Sequence, residues 1–395
     1  MFRKNKNNTL CSMPTELVEH IAKFLDLLDD NQSSLCNFRL TCMDLYEKML
    51  HHFGHTVLHT VYTDFSFSNI RKLIRLSEDV YLREFVHCLS LVQRPTKQMG
   101  NGFAWIRDTS GKLDMDSLGP QWLLRALRLF PNCRSFVVQL NYAGECPSRI
   151  IFGPTDGITV LLDVIAKAGI SVKSFGAHSQ PGISSFAFSN LDPHHIDLSI
   201  LDNPAFKKAW EHVEQLEFDH NLIPERIAEW VFRLIVHAPR LKILEMGFDY
   251  AVQAQSVISR LANGPVPELE ELTLRHAMEL KWRELQPILQ ASRRTLRVLK
   301  LQQIQLSKGS WVDVLMTLRE FPALEEISLA WLSTDPAKVL NFPTIRDALA
   351  GLTMTRPIQL GAKHCRGVRK NVMAAYQGPL MSETLDTLLA SARED

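Results

Sequence analysis

Cysteine is scarce and its spacing is irregular. Seven cysteines occur among 395 residues, at Cys11, Cys36, Cys42, Cys88, Cys133, Cys146 and Cys365, and no CxxC is present. An odd, scattered set argues against a disulfide framework. It points to a reducing compartment, cytoplasm or nucleus, where thiols serve as small apolar residues. Long apolar runs are missing too. The best stretch, Ile158 to Ile170, is interrupted by Asp163 and Lys167 and falls short of the about 18 residues that suggest a membrane span. The first ten residues place Arg3, Lys4 and Lys6 among asparagines and lack the apolar centre of a secretory leader. Formal net charge is only +1, so no global field recruits nucleic acid or membrane. GxxxxGK[ST], GxSxG and HExxH are all absent. The expectation is a non-catalytic chain that needs no cofactor.

Histidine offers one pattern to weigh. His51, His55 and His59 recur every four residues, a face zinc is able to use. Gly54 sits among them, and no cysteine or carboxylate is placed to complete a shell, so no metal is expected. His194 and His195 lie in a proline-flanked loop and read as exposed. Lys363, His364, Arg366, Arg369 and Lys370 form a basic run with little aromatic company, which reads as solvated surface.

What the chain does have is apolar content, 46% against 22% charged, enough for a large core. Near the start, Met13, Pro14, Thr15 and Glu16 read as a helix opening, because proline suits the first turn and Glu16 complements the dipole. Leu17, Val18, Ile21, Phe24, Leu25 and Leu28 then draw one helical stripe, and Leu35, Phe38, Cys42, Leu45 and Met49 a second. Short helices over about 40 residues bury their own apolar surface poorly. They must dock on the rest of the chain, as a cap, or on a partner.

The second half has a period. LxxLxL patterns start at Val213, Leu241, Leu269, Leu296 and Leu324, spaced 28, 28, 27 and 28 residues. Between them Ile227, Trp230, Val231, Leu234 and Ile235, and their later counterparts, fall at helical spacing. Alternation of period 2 with period 3.6 is the signature of leucine-rich repeats, one strand and one helix per unit, which must stack to cover their apolar faces. Trp210, Trp230, Trp282 and Trp311 read as core of the array. The asparagine expected after each strand appears only at Asn221; its later equivalents are Asp249, Ala277, Ile304 and Leu332. Weaker units start upstream at Leu82, Cys133 and Val172, separated by polar loops at residues 93–120 and 176–203. Loops of that length in a repeat array are usually functional or disordered.

The residues of the first stripes carry a resemblance. Met13, Pro14, Glu16 and Leu17 with Ile21, Phe24 and Leu25, then Phe38, Arg39, Leu40, Thr41, Cys42 and Leu45, resemble the F-box, in the form common in fungal proteins. The resemblance spans about residues 12–55. Met13 stands where leucine is usual, a swap that nearly conserves volume, and the late tryptophan of many members is absent. The resemblance implies binding to the Skp adaptor and through it to a cullin, with Met13, Pro14, Leu17, Ile21 and Leu25 on the adaptor. The alternative is a leucine-rich-repeat scaffold acting outside any ligase.

The expected architecture is α/β: a leader at residues 1–11, the F-box-like helices at 12–55, a repeat solenoid at 56–353 and a C-terminal cap at 354–395. Alternate strand residues would line the exposed sheet face, where Glu217, Glu245, Thr273, Arg275 and Lys300 are candidates for holding an unknown protein client. Charge passes along that face from acidic to mixed or basic, which would permit electrostatic reading. Solvated strand faces carry charge in any case.

Overall fold

The structure is a computed structural model. It describes residues 10–28, 33–93, 98–109, 111–140, 152–179, 191–219, 225–248, 254–335, 338–343, 359–365 and 368–394.

The α/β class holds. Four short helices open the chain: α1 (Thr15–Leu28), α2 (Ser33–Arg39), α3 (Met43–Lys48) and α4 (Leu50–Phe53). Pro14 presents its carbonyl to the N–H groups of Leu17 and Val18, which starts the first turn of α1. Residues 1–9 lie outside the described region; Leu10–Ser12 form a 3₁₀ turn. After α4 the helix widens into a π-helical turn, Gly54–Leu58, which leads directly into the main sheet.

That sheet has eleven strands. β1 (Thr60–Thr63), β2 (Cys88–Val92), β3 (Ser135–Leu140), β4 (Ser174–Ser179), β5 (Gln215–Asp219), β6 (Ile243–Gly247), β7 (Glu271–Arg275), β8 (Val298–Gln302) and β9 (Glu326–Ala330) are parallel, and their order in the sheet is their order in the chain. β10 (Gln359–Cys365) and β11 (Val368–Gln377) close it as an antiparallel hairpin, with β11 beside β9. Strand order never reverses, so crossovers of a single hand leave the helices on one face. Those helices are α5 (Phe67–Glu78), α6 (Leu118–Leu129), α7 (Pro154–Ala168), α8 (Pro204–Trp210), α9 (Glu225–Val236), α10 (Ala254–Asn263), α11 (Trp282–Ala291) and α12 (Trp311–Leu318). α13 (Met381–Ser391) packs on α12.

Register is unbroken across the array. Val61, Leu89, Phe136, Phe175, Leu216, Leu244, Leu272, Leu299, Ile327 and Tyr376 stand side by side, all at the core face. A one-residue slip anywhere would turn a whole strand's apolar set to water, so the pattern fixes the pairing. The row corrects two upstream readings. Leu89 stands beside Phe136, so the frame of that unit starts at Val86 rather than Leu82. The row also adds a strand unseen in the sequence, β1, whose frame runs Leu58, Val61, Thr63.

The turns after β1, β7, β8 and β9 explain the missing asparagines there. Phe65, His276, Gln303 and Trp331 occupy equivalent places and all carry a left-handed φ, between 54° and 59°. The N–H groups of Phe248, His276, Gln303 and Trp331 each reach the next strand, at 2.7–3.0 Å. Ala277, Ile304 and Leu332, where the asparagine was expected, are buried apolar residues that extend the core. A backbone ladder thus does the job of a side-chain ladder. Asn221 and Asp249 lie outside the described residues.

Among the described residues there are two apolar clusters, and they share no member. One runs from Val61 to Ala392 under the sheet; the other holds Val18, Ala22, Leu35, Leu45, Met49 and Phe53 among the opening helices. Trp210, Trp230 and Trp311 are fully buried in the first, with Trp282 half-buried at its edge. At the far end Glu394 clamps the start of α12: its carboxylate accepts from the Ser310 hydroxyl (3.0 Å), the Trp311 N–H (2.8 Å) and the Thr334 hydroxyl (3.1 Å). An acidic group at a helix start is where the dipole favours it.

Candidate protein-interaction surfaces

The stripe of α1 divides between two faces. Val18 and Ala22, one turn apart, point into the small core. Leu17 and Phe24 point out and are 50% and 55% exposed; Leu40 and Met43, beyond α2, are 73% and 68% exposed. Ile21 and Leu25 are half-buried, Pro14 is exposed, and Met13 is half-buried against the small core. The Met13 carbonyl accepts a hydrogen bond from Lys48 Nζ at 2.7 Å, tying the entry of α1 to α3. Phe24, which is not among the residues expected at an adaptor, shares this outward face with Leu17. Its i+7 relation to Leu17 was the signal, since that spacing returns to the same helix face. Arg39 braces the unit from within, its guanidinium 3.8 Å from the Tyr46 ring centroid and 4.1 Å from that of Phe53.

The sheet face opposite the helices carries the candidate client residues. Glu217, Glu245, Thr273 and Lys300 do form one row across β5 to β8, flanked by Ser328 on β9. Arg275 lies in the row that also holds His178, Asp219 and Gly247. The cations here are engaged. Arg275 pairs with Glu245 at 2.6 Å, and Lys300 with Glu326 at 3.0 Å. His178 Nδ1 lies 3.5 Å from Glu217. Burial raises the pKa of Glu245, Arg275 lowers it, and the neighbouring Glu217 and Asp219 raise it. The acidic-to-basic gradient expected from the sequence is therefore reduced by pairing between adjacent strands. Thr273 is buried, which corrects its place among the residues expected to hold a client.

The long loops converge on the start of α7. Gly153 and Pro154 open this helix, and the Asp156 carboxylate accepts the Gly153 N–H at 2.9 Å. Arg107, from the first loop, reaches the same carboxylate at 2.7 Å, with side chains 16% and 2% exposed. His195, from the second, lies 3.5 Å from it. The Thr155 hydroxyl accepts the Asp192 N–H (2.8 Å), the Thr159 hydroxyl donates to the His195 carbonyl (3.2 Å), and Lys112 pairs with Asp197 at 3.0 Å. The Trp105 ring stacks on Phe152 at 3.9 Å and donates to the Gly100 carbonyl at 2.7 Å. His195 is half-buried, which corrects the expectation that it is exposed; His194 is exposed. Residues 94–97, 110 and 180–190 of these loops lie outside the described region. The described parts form a clip whose polar groups satisfy one another.

No protein-family model matches the chain, and no curated protein matches it. Among the described residues no helix is long and apolar enough to cross a membrane, and no group of three or more His, Cys, Asp or Glu is placed to hold a metal ion.

Proposed function

We propose that this chain is the substrate-recognition subunit of a cullin-RING ubiquitin ligase. The opening helices act as an F-box that binds the Skp adaptor. The strand–helix units act as a leucine-rich-repeat solenoid that holds a protein client on its open sheet face. The observation that carries this reading is the outward face of α1. Leu17 and Phe24 stay half exposed although the helices already have a core of their own. Apolar surface left over after a unit has packed is surface that another polypeptide covers. Chemistry would belong to the complex: a tethered client meets the charged conjugating enzyme at high effective concentration.

A pull-down of the full chain with a Skp adaptor tests it. Leu17→Asp with Ile21→Asp places two carboxylates in the interface and should abolish capture; retained capture overturns the reading. A scaffold outside any ligase, with the helices as a mere cap, has one observation in its favour: the Phe85 ring lies directly on Gly54. Deleting residues 1–55 separates the two. A cap leaves an aggregating remainder, whereas an adaptor module leaves a folded one.

A further inference from the structure

The place where the opening helices meet the sheet is made of histidines. The two apolar clusters do not merge there. Instead the Phe85 ring sits against the backbone of Gly54, so close that a Cβ on that glycine would lie 2.4 Å from the ring. His51 and His55 flank the same ring, at 6.1 and 5.2 Å between centroids, and each other at 4.5 Å. One turn later His59 stacks on His87 at 5.0 Å, with 18° between the rings.

These last two residues also begin a rail along the edge of the sheet. The residue before each parallel strand donates its N–H to the carbonyl of the one before the previous strand: His87 to His59, Arg134 to His87, Lys173 to Arg134, Glu214 to Lys173, then Lys242, Glu270, Arg297 and Glu325 in turn, at 2.7–3.1 Å. From Lys173 onward the side chains alternate in sign, and Lys173–Glu214, Lys242–Glu270 and Arg297–Glu325 are ion pairs. The first three rungs, His59, His87 and Arg134, contain no acid. Other charged or titratable groups on the elements packed there include Asp44, Tyr46, Glu47, Lys48 and His52 on the helical side, Tyr62 on β1, Asp79, Tyr81, Arg83 and Glu84 before β2, Cys88 on β2 and Cys133 before β3. Glu84 is paired with Arg83. Burial lowers the pKa of His87, and His59 and His55 lower it further, with no carboxylate acting against them.

We propose that His55, His59, Phe85 and His87 form a pH-responsive seam, in which protonation of His87 beside His59 and His55 loosens the hold of the Gly54–Leu58 turn on the first strands. A neutral His87 ring stacks on His59; charging it is opposed first by its burial and then by His59 and His55. The depressed folded pKa of His87 sets the sign. The seam is intact above the ordinary histidine range and is lost as pH falls through the folded value. The rest of the rail, with its alternating pairs, is left in place. The attachment of the helical unit to the first strands would then depend on acidity.

Amide exchange at His87 and Cys88 reads the seam directly, because both N–H groups donate to the His59 carbonyl, at 3.0 and 2.9 Å. In the full chain their protection, corrected for the intrinsic rate, should fall about tenfold or more between about pH 7.5 and about pH 5.5. Amides of β6 and β7 should lose far less. The variant carrying His55→Gln, His59→Gln and His87→Gln should show no such fall. Equal protection of the wild type at both pH values overturns the proposal, as does the same fall in the variant. An equal fall in β6 and β7 also overturns it, since that is global unfolding. Should the triple variant not fold, His59→Gln alone decides: it must lessen the fall.

Discussion

Asp156 is the residue through which the two long loops hold the molecule, and the cost of cutting that hold follows from its surroundings. Its side chain is 2% exposed, it faces Arg107 at 2.7 Å, and it accepts the Gly153 N–H at 2.9 Å. Asp156→Leu leaves a mostly buried guanidinium without its counter-charge and a helix-start N–H without an acceptor. Breaking one side of a buried pair costs about 3–5 kcal/mol, and we expect about 4 kcal/mol here. Arg107→Met removes the cation but leaves the carboxylate facing the Gly153 N–H and His195, so about 2 kcal/mol is expected. The double variant has no unpaired charge. It should cost about 3 kcal/mol, well below the two single costs together, because apolar replacement of a whole buried pair is often near neutral. Urea denaturation of the wild type, both single variants and the double variant gives the coupling directly. A value of about 3 kcal/mol supports the clip; single effects that add to within about 0.5 kcal/mol refute it.

Three further outcomes follow from the packing. Trp210→Ala should cost about 3–5 kcal/mol in the same denaturation assay, because the ring is fully buried, stacks on Phe206 at 5.0 Å and donates to the Leu234 carbonyl at 2.9 Å. Gly54→Ala should cost about 1–3 kcal/mol through the clash with Phe85, and Phe85→Leu in the same chain should recover part of it. Burial lowers the pKa of His237, and Lys207 and Arg233 lower it further. The unfolded chain then binds more protons below the ordinary histidine value, so stability is greatest above about pH 6.5 and is lost as pH falls toward the folded value. Melting temperatures across that range should drop, and His237→Gln should flatten the drop.

The repeats were legible because each strand writes its core face as LxxLxL, and five copies in near-constant register leave little freedom. The first unit was not, because β1 is only four residues long and puts Thr63 where the later strands place apolar residues. The frame at Leu82 misled for a related reason. Leu82 and Phe85 are separated like the first two leucines of a repeat, yet they lie in the turn before β2. The tail also hid two strands: Lys363 and His364 lie in β10, and Arg369 and Lys370 in β11, of the hairpin that closes the sheet.

The interaction surfaces were legible only in part. A stripe of apolar residues tells that a helix has a buried face. It does not tell how residues share that face with the outside, and α1 gives Val18 and Ala22 to its own core while leaving Leu17 and Phe24 free. Along the sheet, positions of Glu245, Arg275 and Lys300 were readable, but their pairing was not. Arg275 meets Glu245 thirty residues away, and that meeting depends on strand register rather than on any local pattern. The clip at Asp156 was invisible for the same reason, since Arg107, Asp156 and His195 are brought together only by the stacking of two units.

The account rests on the outward face of α1, and affinity for a Skp adaptor measured by calorimetry tests it most directly. Phe24 is 55% exposed, so burying its free half against a partner is worth about 1–1.5 kcal/mol. The wild type should bind, and Phe24→Ser should weaken binding about tenfold with an unchanged melting temperature. No binding by the wild type, or equal affinity of the two, would contradict it.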